Sequence, residues 1–171
     1  MQAEGVDRYW SALDFPIRVL IDSEMDPQFA VAAQEAVSTW NKSVDRDVFV
    51  VSVHNMMDPA PSLCGWVALQ HHDIHVGGRY PGWDAFHKGT PHRGSERACN
   101  GLVVLDDEVP LDWARPIFAH ELGHALMLAH DGDRGSLMYP VLRGTVRSVS
   151  IQPADIRRIQ SMISGFSDLN Y

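Results

Sequence analysis

Lysine is nearly absent from this chain: Lys42 and Lys88 are the only two, and Lys and Arg together number 14 against 22 Asp and Glu. A net charge of −8 with no basic cluster is ill suited to gripping phosphate backbones, which argues against nucleic acid and anionic membrane surfaces as partners. Long apolar runs are missing too. None approaches the ~18 residues of a spanning helix, so no membrane span is expected. Cysteine is limited to Cys64 and Cys99, too far apart for a CxxC pair, which excludes a zinc ribbon and a thiol redox motif. The two form either one disulfide or two buried thiols. The first fifteen residues hold no apolar segment of signal-peptide length, so the chain either is not exported by that route or is a mature fragment with an added Met1.

What remains is an ordinary globular composition, 45% hydrophobic and 21% charged over 171 residues, which suits one domain. Pro16–Asp22 reads as a first strand, and Asp26-Pro27 as the cap and first turn of a helix whose apolar positions run to Trp40. Asp47–Val53 is mostly apolar and is expected to be a central strand, with Trp66–Leu69 a third. Between Gly77 and Gly101, repeated Gly and Pro break any periodicity and predict a long ordered loop or flap. Leu102–Leu105 is a short strand ending in Asp106-Asp107-Glu108. Helices follow over about 112–127 and from 150 or 153 to 164. No internal repeat is present.

The unusual surplus is histidine, nine residues in all. The second helix contains His120-Glu121-Leu122-Gly123-His124. Two histidines four apart lie roughly 40° apart around a helix and about 6 Å along it, so both imidazoles reach one ion. Glu121 is then placed to touch a water on that ion rather than the ion itself. Zinc hydrolases use this arrangement: the metal acidifies the water and the glutamate takes its proton. Chance predicts only about 0.016 such matches in a chain of this composition. His130 follows six positions after His124. On a continuous helix it would sit about 240° away, so a shared metal requires the helix to stop and the chain to turn back. His120, His124 and His130 would then give the three protein ligands a catalytic zinc uses, with one position open.

With Ser136-Leu137-Met138-Tyr139-Pro140 following, its methionine eight residues after His130, the sequence resembles the metzincin zinc peptidases, and most of all the matrixins. The resemblance also covers Trp10, Phe15–Val19, Ala36–Asn41, Gly101–Glu108 and Ile151–Gln160. It is weakest between about 54 and 100. It implies an α+β, zincin-like catalytic domain: a twisted mixed five-stranded sheet, three helices, and a small C-terminal subdomain after the third ligand. The single domain would divide into an upper part of about residues 1–130 and a lower part of about 131–171.

The resemblance further implies a zinc-dependent endopeptidase with one catalytic Zn2+ on His120, His124 and His130, and Glu121 as general base. Met138 would form the floor beneath the imidazoles. Tyr139 and Pro140 would line the primed-side pocket, and Asp155 would tie the last helix to the methionine turn. A protein or peptide substrate would lie extended along an edge strand formed by Leu102, Val103, Val104 and Leu105. A catalytically impaired zinc- and peptide-binding module of the same fold is the alternative. The family's habit of export, with a disulfide, points to an extracellular or exported protein; oligomeric state is not encoded.

The sequence departs from the signature at Met127, where the motif has glycine to permit the turn toward the third ligand. A methionine at positive φ costs about 1–2 kcal/mol, so either that strain is tolerated or the helix ends differently. His71, His72, Asp73 and His87 partly echo the second, structural zinc of vertebrate matrixins. The last ligand would fall near Val104, which is apolar, so that set is incomplete. Asp106, Asp107 and Glu108 are candidates for Ca2+, or equally a polar turn that caps the following helix.

Overall fold

The computed structural model describes residues 10–73, 85–91, 98–140 and 149–164. After a 3₁₀ turn at Ala12–Asp14 come β1 (Ile17–Asp22), α1 (Pro27–Val44), β2 (Phe49–His54) and β3 (Trp66–His71). β4 (Ala85–Pro91), β5 (Ala98–Leu105), α2 (Leu111–Ala125) and α3 (Pro153–Ile163) complete the order. The strands form one mixed sheet in the order β2-β1-β3-β5-β4, parallel except for the antiparallel pair β4–β5. The expected five strands and three helices are present.

Local chemistry sets the helix starts. The Asp26 carboxylate accepts from the Gln28 N–H at 2.8 Å, and Pro27 occupies the first turn, where its missing donor costs nothing. At the other end of α1, Asn41 clamps the entry to β2: its Oδ1 accepts from the Val48 and Phe49 amides, and its Nδ2 donates to the Phe49 carbonyl. One face of the sheet carries Ile17, Val19, Ile21, Val67, Leu69, Val103 and Leu105 into the core. There they meet Ala33, Ala36 and Trp40 of α1 and Phe118 and Leu122 of α2.

Three sequence expectations change. β2 is an edge strand and not a central one: Phe49 is buried, but Val50 and Val53 are 47% and 68% exposed. An apolar run shows that one face is covered, not that both edges are paired. The stretch read as a loop between 77 and 101 contains β4 and the start of β5. Gly89 sits opposite Gly101, and the register shifts at Thr90/Pro91 where β4 ends. Proline and glycine are tolerated there because an edge strand need not donate outward. The remainder of that stretch lies outside the described residues. Finally, Leu102, Val103, Val104 and Leu105 do not form an edge: β5 pairs with β3 on one side and β4 on the other. The open edge beside it is β4.

Cys64 and Cys99 form a disulfide, which ties the turn before β3 to the second residue of β5. The same junction holds backbone bonds from Gly65 N–H to the Cys99 carbonyl and from Arg18 N–H to the Gly65 carbonyl. Gly65 is at φ 92, a conformation that favours glycine.

Candidate active site

α2 presents His120 and Glu121 from its buried face, 6% and 7% exposed, with His124 one turn on. Beyond Ala125 the chain reverses. Met127 adopts φ 64; its N–H donates to the His124 carbonyl, and the Leu128 N–H donates to the Gly123 carbonyl. This is a left-handed helix end of the kind glycine usually makes. The helix therefore ends where the motif would end it, and the methionine adopts the turn at the expected strain. His130 is carried back over the helix as a result.

The three imidazoles meet at one point. His124 Nε2 lies 3.0 Å from His120 Nε2 and 3.1 Å from His130 Nε2. A tetrahedral zinc with bonds of about 2.0–2.1 Å would set its nitrogen donors about 3.3–3.4 Å apart, so the set fits that ion closely. The other ring nitrogens are engaged: His120 Nδ1 faces the Leu137 carbonyl at 2.7 Å, and His124 Nδ1 faces the Leu128 carbonyl at 2.9 Å. Carbonyls accept only, so each Nδ1 carries the proton and each Nε2 lone pair faces the shared point. Burial pushes the His120 imidazole down to about 4, aided by the other two rings and opposed by the Leu137 bond. Burial also lowers His124. Both rings are thus neutral, as metal ligands must be.

Burial alone pushes the Glu121 carboxyl up to about 8, making it a basic carboxylate. A divalent ion at the imidazoles pulls the other way by favouring the ionised form.

Beneath the site, Met138 is 1% exposed in a turn in which the Tyr139 N–H donates to the Ser136 carbonyl and the Met138 N–H donates to Ser136 Oγ. Asp131 N–H donates to the Met138 carbonyl at 2.8 Å, fastening the residue after the third ligand to this turn. Leu137 N–H in turn donates to the Ser150 carbonyl, leading toward α3.

Sequence reasoning passed over Gly123. A Cβ there would collide with Met138 Sδ and stand 3.0 Å from Trp40 Cζ2, so the methionine turn can approach only a bare backbone. The available signal was a glycine inside a helix, which normally costs about 1 kcal/mol against alanine and so needs a packing reason. The bonds of two indoles were not foreseen either: Trp40 Nε1–H donates to the Ala119 carbonyl at 2.8 Å, and Trp10 Nε1–H to the Ala125 carbonyl at 2.6 Å.

Tyr139 is half-buried and Pro140 exposed immediately after the methionine turn; the residues that follow, 141–148, lie outside the described ones. Asp155 bonds the backbone of Gln152 at the head of its own helix, and its Oδ2 is buried without a partner. Among the described residues, His71, His72 and His87 do not gather into a ligand set. His71 stacks on Phe29, His72 Nδ1 faces the Asp73 carbonyl, and His87 packs over Gly101. The carboxylates of Asp73, Asp106 and Asp107 do converge, with Asp73 in place of the expected Glu108.

The profile of the matrixin family matches residues 87–164, from the edge strand through the three histidines and the methionine turn to the end of α3. No curated protein sequence matches the chain. Among solved structures, archaemetzincin from Methanopyrus kandleri is similar with a TM-score of 0.56 at 14% identity, over 96% of this chain and 99% of that one. At that identity the likeness speaks for the fold alone. The family match spans the segment that bears the convergent imidazoles. Residues 87–164 are thus similar to the matrixin family, and they hold the three convergent imidazoles of a metzincin-type zinc site.

Proposed function

We propose that the protein is a zinc-dependent endopeptidase in which Glu121 is the general base. The observation that carries this reading is the convergence of three imidazoles beside a buried, basic carboxyl on the helix that bears two of them. Zinc, when bound by His120, His124 and His130, supplies an acidified water and polarises the scissile carbonyl. Glu121 accepts the proton and then passes it to the leaving amine. The substrate lies extended along the outer edge of β4, which packs against α2, so main-chain bonds position the scissile bond over the site. Met138 floors the imidazoles, and Tyr139 and Pro140 line the primed-side pocket. The backbone of Leu102, Val103 and Val104 is already spent on β3 and β4, so these residues support the substrate strand from behind.

The disulfide supports an exported protein, since such bonds persist in oxidising compartments. The impaired binding module rests on Met127 alone, and a turn that still delivers His130 to the other two ligands weighs against it. The test is cleavage of unfolded casein or gelatin, with and without chelator, beside Glu121→Ala. Cleavage should stop with chelator and fall roughly 10²–10⁴-fold in the variant. Chelator-insensitive cleavage, or full activity without Glu121, sinks the mechanism. One bound zinc and no cleavage would favour the binding module.

A further inference from the structure

We propose that Trp10 is a positioning residue for the metal ligands, acting through the turn that ends α2; this rests on the zinc peptidase reading above. Trp10 is 3% exposed and belongs to the main core, yet its indole N–H is spent on one backbone atom 115 positions away, the Ala125 carbonyl. Ala125 is the last residue of α2. Helix ends leave carbonyls without intrahelical donors, and the turn here supplies only some of them. The amides of Leu126, Met127 and Leu128 go to Leu122, His124 and Gly123. Among the described residues, the Ala125 carbonyl takes its bond from Trp10 alone.

That turn acts on the site in two ways. The Leu128 carbonyl fixes the His124 ring, and two residues later the chain delivers His130. Holding Ala125 therefore holds the origin of both ligands. The turn also carries a methionine at φ 64, where glycine would hold the shape unaided. The bond from the indole offsets, from outside, a strain that glycine would not incur. Trp40 cannot substitute, because its bond falls on Ala119, upstream of both His120 and the turn.

The test uses the zinc-loaded protein and Trp10→Phe, which keeps the ring and removes the donor. Zinc release to a chelator should quicken about tenfold, the factor expected from losing one buried hydrogen bond. The kcat should fall severalfold with KM unchanged. In a Met127→Gly background the same change should alter zinc release less than about threefold. Trp66→Phe, whose indole bonds the Pro61 carbonyl away from the site, should lower Tm and leave zinc release alone. A second arm leaves Trp10 intact: Met127→Gly by itself should slow zinc release. The proposal is overturned if Trp10→Phe lowers Tm but keeps wild-type zinc release and kcat. It is equally overturned if its effect is the same in both backgrounds, or if Met127→Gly does not slow release. A wild-type protein that holds no zinc would instead overturn the peptidase reading itself.

Discussion

The sheet with α1 and the segment from His120 to Pro140 are held by different forces. The first is an apolar layer: Ile17, Val19, Trp40, Phe49, Leu69 and Leu105 are all fully buried, and burial of that kind is non-directional. The second shares that core through Leu122, Leu126 and Met138, but is further fixed by bonds to particular carbonyls, those of Leu137, Leu128, Ala125, Gly123 and Met138. A core tolerates small shifts, whereas a hydrogen bond loses its worth once its geometry is spoiled. Both regions therefore contribute to folding, and the carbonyl bonds of the segment determine in addition where three nitrogens point.

Damage to the two regions should separate cleanly. Phe49→Ala, in the edge strand far along the sheet from α2, should cost about 3–5 kcal/mol of stability in denaturant unfolding. Folded protein should keep its zinc stoichiometry and kcat, and loss of zinc before unfolding would break the distinction. Replacing Cys64 and Cys99 by Ser should cost about 3–4 kcal/mol by freeing a long loop in the unfolded chain. Peptidase activity below the new Tm should be unchanged. Met127→Gly belongs to the other region and should behave oppositely. It removes left-handed strain at the expense of some packing, so stability should rise by about 1 kcal/mol and activity should stay within about tenfold. A far larger gain in activity would show that the native turn is closed against substrate.

The smallest effect concerns Asp155. Its carboxyl is raised mainly by burial and by nearby Asp131, against Arg158 and the Gln152 backbone bond. A carboxyl raised on folding favours the native state while protonated, so its contribution is lost as pH climbs from the unfolded value through the folded one. Asp155→Asn should then raise Tm slightly at neutral pH, with the difference vanishing below about pH 4. A difference that instead grew toward acid would mean that the carboxylate form is the one the fold prefers.

The site was largely readable in the sequence because its chemistry is local. Spacing on one helix places His120, Glu121 and His124, and the departure of His130 from helical phase already demands the turn. The start of α1 was readable for the same reason, since Asp26 and Pro27 act within one turn. Strand order was not readable. Nothing in Asp47–Val53 says that its outer side is unpaired, and nothing in Leu102–Leu105 says that Ala85–Pro91 lies outside it. Those are contacts across long stretches of chain, and β4 was further masked by Gly89 and Pro91. The partners of Trp10 and Trp40 were hidden too. An indole in a sequence reveals bulk, but not which carbonyl its N–H will find.

The bond between His120 Nδ1 and the Leu137 carbonyl is buried under the site, joining a ligand on α2 to the methionine turn beneath it. The turn consequently cannot move away from α2 without giving up that bond or turning the first imidazole away from its partners. A displacement of the turn is therefore expected to disturb the metal site first at His120.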